Sequence, residues 1–321
     1  MSLRVVFMGS PEFAVPSLRA VAAAFNVVGV VCQPDKPAGR GKQLTAPAVK
    51  VAAQELQLPV LQPTSVRTPA FLAELQALGA DVAVVVAYGK ILPRTVLEAF
   101  RYGCINVHGS LLPAYRGAAP IQWAVIDGLR ETGVTIMQLD EGMDTGPMLR
   151  VQTMPIVPGQ SAGDLAVAMA PIGAMTLMAT MADVVAGHVK ATPQPDGATI
   201  ARMLRKEDGW VDFAMPATHV AARICGVDPW PGAQAQLLGN DGVAVGVKLF
   251  GAVTHVHQGG LAAPGTIVAI APTGGVVACA DGFVRISDIQ VAGRKRMAFA
   301  ALAAGRGVAA GQQLIRMTGI A

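Results

Sequence analysis

The chain has 321 residues, 52% of them hydrophobic and 14% charged, which argues against a disordered or fibrous protein and leaves length enough for two buried cores. Its four cysteines, Cys32, Cys104, Cys225 and Cys279, are widely spaced with no C-x-x-C pair, which disfavours a disulfide framework or a zinc site and reads as buried free thiols. The formal charge of +4 is uneven: residues 1–189 hold 13 Lys+Arg and 13 Asp+Glu, whereas residues 190–321 hold 12 and 8. Such asymmetry suits a polyanionic partner or a solubilising surface.

Residues 3–8 read as a strand, followed by the turn Gly9-Ser-Pro11 and a helical pattern over 12–25, with Ser10 as cap and Pro11 in the first turn. The first eight residues have neither the length nor the cleavage pattern of a signal peptide, so a cytoplasmic protein is expected. Residues 27–32 form a second strand, 58–61 a short third and 81–87 an apolar strand buried on both faces, with helices near 47–56 and 68–78. This alternation predicts an α/β fold, a doubly wound parallel, Rossmann-like sheet with helices on both sides.

Two phosphate motifs fail. Gly9 stands outside any G-x-G-x-x-G, so a dinucleotide is not expected, and Gly39-Arg-Gly-Lys-Gln43 has Lys36 and Gln43 where a P-loop needs Gly and Ser or Thr. The loop 33–45 is long, punctuated by Gly and Pro, and carries Lys36, Arg40 and Lys42 against Asp35 alone. It is either a solvated loop or a segment that meets phosphates. After the strand at 82–86 comes Tyr88-Gly-Lys-Ile-Leu-Pro93, at the sheet edge where open α/β sheets bind ligands. Ile91, Leu92, Leu111 and Leu112 can line an apolar cleft for a flat heterocycle there, or can be plain core residues.

Cys104-Ile-Asn-Val-His108 alternates as a short strand, which puts Asn106 and His108 on one face roughly 6.6 Å apart, close enough to touch one small reacting group. Cys104 shares that face, roughly 13 Å from His108 and too distant for a nucleophile pair. A further strand at 132–139 leads to Asp140-Glu-Gly-Met-Asp-Thr-Gly146, a loop expected to carry Asp144 to the carboxyl edge of the same sheet.

These residues resemble the methionyl-tRNA formyltransferases. Ile105-Asn-Val-His-Gly-Ser-Leu-Leu-Pro113, Arg116-Gly-Ala-Ala-Pro-Ile-Gln122, Gly133-Val-Thr-Ile-Met137 and Asp144-Thr-Gly146 carry the likeness. The resemblance implies that Asn106, His108 and Asp144 are the catalytic trio. It also implies that 10-formyltetrahydrofolate is the co-substrate and that no metal is required. The trio is shared by all folate-dependent formyltransferases of this fold, including the glycinamide ribonucleotide enzyme and the formyltetrahydrofolate deformylases, so it names a chemistry rather than an acceptor. By the same resemblance Tyr88, Ile91 and Leu92 with Ser110, Leu111, Leu112 and Pro113 form the folate pocket. Loop 33–45 corresponds to the insertion that enters the acceptor-stem end of the tRNA, with Arg40 in base recognition.

A strand at 148–156 and a long helix at about 161–185 follow. The apolar run 165–185 contains Pro171 and Asp183 and reads as a buried helix, so no membrane span is expected. Thr192-Pro-Gln-Pro-Asp-Gly197 reads as a linker, giving domains at 1–189 and 209–321 joined by 190–208. Residues 212–224 suit a helix, and apolar or alternating runs at 233–238, 242–250, 265–271, 275–280 and 283–291 predict a small antiparallel barrel of OB type. His255-x-His257 reads as exposed strand, because a third metal ligand is lacking nearby.

Few aromatic residues follow the linker, so the basic points Lys248, Arg285, Arg294, Lys295 and Arg296 favour contacts to a nucleic-acid backbone over base stacking. Arg205-Lys-Glu207, Asp228-Pro-Trp-Pro-Gly232, Ala263-Pro-Gly-Thr266 and Gly293-Arg-Lys-Arg-Met297 resemble the family's carboxyl-terminal domain, which puts Lys206 with Arg294, Lys295 and Arg296 among the tRNA-binding residues. The small glycinamide ribonucleotide enzyme lacks such a tail. The expected partner is therefore initiator methionyl-tRNA, bound by a monomer. Two other readings remain open at this point: a hydrolase, built on a Ser110-His108-Asp144 triad or on water activated by the trio, and a tRNA-binding module without catalysis.

Overall fold

The computed structural model describes residues 3–38, 43–239, 242–257, 260 and 262–317. The chain divides into two compact units, one comprising Met1–Pro120, Thr132–Met154 and Ala166–Arg202, the other Ile121–Glu131, Pro155–Leu165 and Met203–Ala321.

In chain order come β1 (Arg4–Gly9), a 3-10 turn (Glu12–Ala14) running into α1 (Val15–Ala24), β2 (Asn26–Val31), the hairpin of β3 (Lys36–Ala38) and β4 (Gln43–Thr45), α2 (Ala48–Glu55) and β5 (Val60–Leu61). Next are α3 (Pro69–Ala77), β6 (Val82–Val86), α4 (Arg94–Leu97), β7 (Cys104–His108), β8 (Arg116–Gly117) and α5 (Pro120–Ile126). They are followed by β9 (Glu131–Gln138), β10 (Met148–Pro155), α6 (Ala162–Ala186) and β11 (Ile200–Ala201).

The main sheet has the order β10-β9-β7-β6-β1-β2-β5. β1 pairs in parallel with β2 on one side and with β6 on the other, so the direction of strand addition reverses between β1 and β6. In an open α/β sheet the cleft beyond the carboxyl ends at such a reversal is where ligands sit. β6, Val-Ala-Val-Val-Val, is buried on both faces. On one face Val6, Met8, Val31, Ala83, Val85 and Cys104 pack with Phe71 and Leu75 of α3 and Val96 of α4. α3 starts where the sequence asks it to, with Pro69 in its first turn and Thr68 Oγ1 accepting the Phe71 N–H at 3.3 Å. On the other face Gly173 of α6 lies against Val107 and Val134. α6 is long and apolar enough to cross a membrane, yet Leu165, Met169, Leu177 and Met181 are fully buried within the fold.

Three departures from the sequence reading bear on the first unit. The sheet is mixed, because β9 runs antiparallel to β7 with Asn106 opposite Met137 and His108 opposite Thr135. The chain turns back beyond His108 and enters β9 from the carboxyl edge, a matter of direction on which side-chain alternation is silent. Ser10 does not cap a helix: its Oγ accepts the Gln33 N–H at 3.1 Å and reaches Tyr88 O at 3.5 Å, joining the ends of β1, β2 and β6. The stretch read as a linker is bonded within the first unit, where Thr192 pairs with Met148, and Ile200 and Ala201 of β11 run parallel to Arg116 and Gly117 of β8.

The second unit continues with a 3-10 turn (Lys206–Gly209), α7 (Ala217–Gly226), β12 (Ala233–Leu238), β13 (Ala244–His255), β14 (Ile267–Ala271), β15 (Gly274–Ala278), β16 (Phe283–Val291), β17 (Met297–Ala298), α8 (Phe299–Ala304) and β18 (Gln313–Arg316). Its sheet runs β14-β15-β16-β13-β12-β18, with β17 beside β16. Thr266, just before β14, also bridges to Gln313 in β18, and the Ile267 N–H reaches Gln312 O at 2.9 Å. Strand β18, unforeseen in the sequence, is thus one end of the strand order and also meets the residue that leads into the other end, β14.

Gly133 of β9 is held where the Gln152 carbonyl of β10 and the Leu111 side chain occupy the space a Cβ would need. Because the carbonyl belongs to backbone and cannot swing aside, Gly133→Ala should cost about 2 kcal/mol of stability, read as a lowered urea midpoint. An unchanged midpoint would contradict this packing.

Candidate active site

The site is built on β7, all five residues of which are buried. Ile105 and Val107 face one way and Asn106 and His108 the other, so the strand delivers two polar groups side by side at the carboxyl edge. Asn106 is 8% exposed and makes no side-chain hydrogen bond to another described residue, so its amide is free to donate. His108 is 5% exposed and bracketed: Nε2 lies 2.9 Å from the Tyr115 carbonyl oxygen and Nδ1 lies 3.6 Å from Asp144 Oδ2. A carbonyl oxygen only accepts, so Nε2 carries a hydrogen and Nδ1 faces the carboxylate.

The loop after β9 brings Asp144 to the carboxyl edge of β7 by a longer path than the strand order alone suggests. Because β9 is antiparallel, its carboxyl end lies beside the start of β7, where the Leu139 N–H donates to Cys104 O at 2.8 Å. The loop after it doubles back to place the carboxylate by His108. The loop braces itself through Asp140, whose Oδ1 accepts from the Gly142 N–H at 3.0 Å and from Thr145 Oγ1 at 2.7 Å. Gly117 N–H then holds Asp144 Oδ2 at 2.8 Å. Ala87, Tyr115 and Asp144, three of the five non-glycine residues with left-handed backbones among those described, flank this edge. Each such residue costs on the order of 1–3 kcal/mol, and they gather where surrounding contacts over-determine the backbone.

The turn after β7 is held by a buried hydroxyl. Thr135 Oγ1 of β9 donates to Ser110 O at 2.8 Å and accepts the Leu112 N–H at 3.1 Å, while Ser110 Oγ donates to Ala114 O at 2.6 Å. Ser110, wholly buried and spent on that carbonyl, cannot act as a nucleophile. Cys104 cannot either, since burial pushes its thiol up to about 12.

The residues expected around a folate separate into two groups. Ile91 is 57% exposed, and Leu111 and Pro113 are half-buried, so these three offer apolar surface. Leu92 and Leu112 are buried, and Tyr88 packs into the core beneath the sheet edge with a hydroxyl that has no hydrogen-bond partner among the described residues. The Tyr88 side chain therefore lines core. The Tyr88 carbonyl is bonded by Gln33 Nε2 at 3.0 Å. An aromatic residue after a buried strand reads alike as pocket wall or core.

Of the basic residues expected to meet tRNA, Lys36 is exposed on β3, whereas Arg40 and Lys42 lie outside the described residues. The hairpin that carries Lys36 is anchored at its base, where the Asp35 carboxylate accepts from Gln62 Nε2 at 2.7 Å and from Lys50 Nζ at 2.8 Å. The Gln62 hydrogen bond first, then Lys50, holds the Asp35 carboxyl below its usual range. Lys206 is exposed in the 3-10 turn, and Arg294 and Lys295 are exposed before β17. Arg296 is occupied instead: its Nη2 lies 2.7 Å from Asp288 Oδ2, and its guanidinium stacks 4.2 Å from the centre of the Phe250 ring. Among the described residues no group of three or more His, Cys, Asp or Glu is arranged to hold a metal ion.

Comparison with known proteins agrees with this geometry. The formyl transferase family model matches residues 3–181, and the model for the formyl transferase C-terminal domain matches residues 203–307. Among solved structures, WlaRD, a sugar 3N-formyl transferase crystallised in the presence of dTDP and 5-N-formyl-THF, shares the fold with a TM-score of 0.65 at 15% identity, over 92% of this chain and 100% of that one. HypX from Aquifex aeolicus in complex with tetrahydrofolic acid gives a TM-score of 0.63 at 18% identity, over 94% of this chain and 47% of that one. Fold and sequence together define a formyl transferase with the two-domain arrangement of its class.

The closer sequence relatives narrow the class. A methionyl-tRNA formyltransferase of Sorangium cellulosum is 49% identical over 315 residues, covering 98% of this chain and 100% of that protein, and one of Myxococcus xanthus is 45% identical over 97% of both. The chain belongs to the methionyl-tRNA formyltransferase family.

The Thr135 hydroxyl gives a direct check on the site's frame. Thr135→Val keeps the shape but leaves the buried Leu112 N–H and Ser110 carbonyl without this partner, so stability should fall by about 2 kcal/mol in urea unfolding. Wild-type stability would show that the turn is held by other means.

Proposed function

We propose that this chain transfers the formyl group of 10-formyltetrahydrofolate to the free α-amino group of initiator methionyl-tRNA, for translation initiation, with Asn106, His108 and Asp144 as the catalytic groups. The observation that carries the reading is its near-half identity, across both domains and almost full length, to relatives named for that activity. The exposed Ile91 and the half-buried Leu111 and Pro113 at the edge of the switch-point cleft support a site for the flat donor.

The chemistry follows from the bonds exchanged. The α-amine attacks the formamide carbonyl, and the tetrahedral centre bears a negative oxygen while the attacking nitrogen becomes cationic. The unengaged Asn106 amide donates to the oxyanion. His108 adds a donor or exchanges a proton on the same centre, and its Nε2 becomes available once the Tyr115 carbonyl yields it. Asp144 orients the imidazole and relays a proton, through water, between the attacking amine and the departing folate nitrogen. When the centre collapses, the carbon–nitrogen bond to folate breaks and the new formamide remains on the methionyl group. No covalent enzyme intermediate is needed.

Residues 1–189, with the stretch 190–202 bonded onto them, constitute the catalytic domain, and residues 209–321 a tRNA-binding domain. The bridge between Thr266 and Gln313 supports closure of the second sheet into an OB-like barrel. Lys36, Arg40, Lys42, Lys206, Arg294 and Lys295 meet the tRNA, and Arg296 contributes less to phosphate binding because it is paired within the domain. The enzyme works as a cytoplasmic monomer.

Asn106→Ala and His108→Ala should each lower formylation of methionyl-tRNA by on the order of 100-fold or more while leaving the urea midpoint near wild type. Because the trio acts as a unit, adding Asp144→Asn to His108→Ala should cost little beyond the worse single change. Wild-type turnover by His108→Ala would remove the mechanism.

A further inference from the structure

Asp144 has a left-handed backbone, with φ at 55°. Aspartate tolerates that region better than most residues, yet still at a cost that contacts from its neighbours offset. Gly117 aims the carboxylate, but the main chain of the loop is gripped by another residue. Gln194 Nε2 donates to the Asp144 carbonyl at 2.8 Å and to the Gly146 carbonyl at 2.7 Å. The same amide's Oε1 accepts from Nε and Nη2 of Arg116 at 3.0 and 2.7 Å.

Every donor and acceptor of that amide is thus used, and only one orientation serves, since a guanidinium can only donate and carbonyls can only accept. Arg116 and Gly117 are the two residues of β8. One short strand therefore holds Asp144 twice, by its carboxylate through the Gly117 N–H and by its backbone through Gln194.

The segment bearing Gln194 is stiff. Pro193 and Pro195 flank it, so the φ of each neighbour is fixed and Gln194, preceding a proline, is confined to extended backbone. Thr192 ties the segment down by exchanging N–H and carbonyl bonds with Met148, both at 2.8 Å, two residues past Gly146. The Pro-Gln-Pro stretch behaves as a strut whose middle residue points at the loop it supports.

We infer that Gln194 is a positioning residue that keeps Asp144 in its strained conformation, and so keeps its carboxylate in register with His108. The inference rests on the proposed role of Asp144 in formyl transfer. Without Gln194 the Asp144 backbone relaxes toward an ordinary conformation and the carboxylate leaves the imidazole, while Asn106 and the folate edge stay in place.

The test is a cycle of four full-length proteins, wild type, Gln194→Ala, Asp144→Asn and the double variant, assayed for formylation of methionyl-initiator tRNA at saturating 10-formyltetrahydrofolate. Gln194→Ala should lower kcat by roughly 10- to 100-fold with KM for both substrates within about two-fold, since displacement of a reacting group by an ångström costs about that much. In the Asp144→Asn background the same change should cost less than about two-fold more, because Gln194 acts only through Asp144. Gln194→Glu, which still accepts from Arg116 but sets a carboxylate against two carbonyls, should match Gln194→Ala and stands in for it should the alanine variant unfold.

Losses that multiply in the double variant, or a wild-type kcat in Gln194→Ala or Gln194→Glu, would overturn the inference while leaving the proposed function intact. A wild-type protein that does not formylate methionyl-tRNA would remove the proposed function, and this inference with it.

Discussion

The interaction on which the site depends is the approach of the Asp144 carboxylate to the His108 imidazole, 3.6 Å apart, between two elements that do not naturally meet. β7 ends at His108, while the antiparallel β9 ends beside Cys104, at the opposite end of β7. A loop must recross that distance and present an acid in a backbone conformation that most residues avoid. The Asp140 brace inside the loop, the Gly117 N–H on the carboxylate and the Gln194 amide on the main chain supply the fixed points. With the imidazole held from its other side by the Tyr115 carbonyl, the carboxylate and the ring are set before any substrate binds. Asn106, which makes no side-chain hydrogen bond to another described residue, is the group proposed to meet new charge.

The same economy governs the edge where the donor is proposed to bind. The turn from Ser110 to Ala114 leaves apolar Leu111 and Pro113 only half-buried because its polar backbone is satisfied from behind by Thr135 and by the Ser110 hydroxyl. Buried polar groups paired in this way cost little and fix geometry, whereas any one of them left unpaired would cost about 1–3 kcal/mol. The hydrogen bonds that stabilise the turn are therefore the ones that free its apolar face. Serine and threonine here do structural work that a reading for nucleophiles would misassign.

Much of the scaffold is legible in the residues. Cys104–His108 alternates plainly enough to fix both its bounds and the shared face of Asn106 and His108, and β6 announces its burial with an unbroken apolar run. Strands β12 and β16 begin and end where their patterns do. What stays hidden has physical causes. Periodicity reports which residues share a face but not which way a strand runs, so the reversal of β9 is invisible, and with it the path of the Asp144 loop. Two-residue strands such as β8 and β11 are too short to show any period. The stretch around Gln194 reads as a linker because prolines break regular structure, yet the same prolines make it rigid, and the side chain between them bonds residues some 50 positions away in sequence. Tyr88 shows the converse ambiguity, an aromatic at a sheet edge whose side chain packs into the core.

The most direct test of the whole account is a comparison of acceptors under one set of conditions. With 10-formyltetrahydrofolate as donor, formyl transfer is measured to methionyl-initiator tRNA and to glycinamide ribonucleotide, alongside release of free formate without acceptor. The account predicts rapid transfer to the tRNA, with neither other product above background. Preferential formylation of glycinamide ribonucleotide, or formate release matching the rate seen with tRNA, would contradict it.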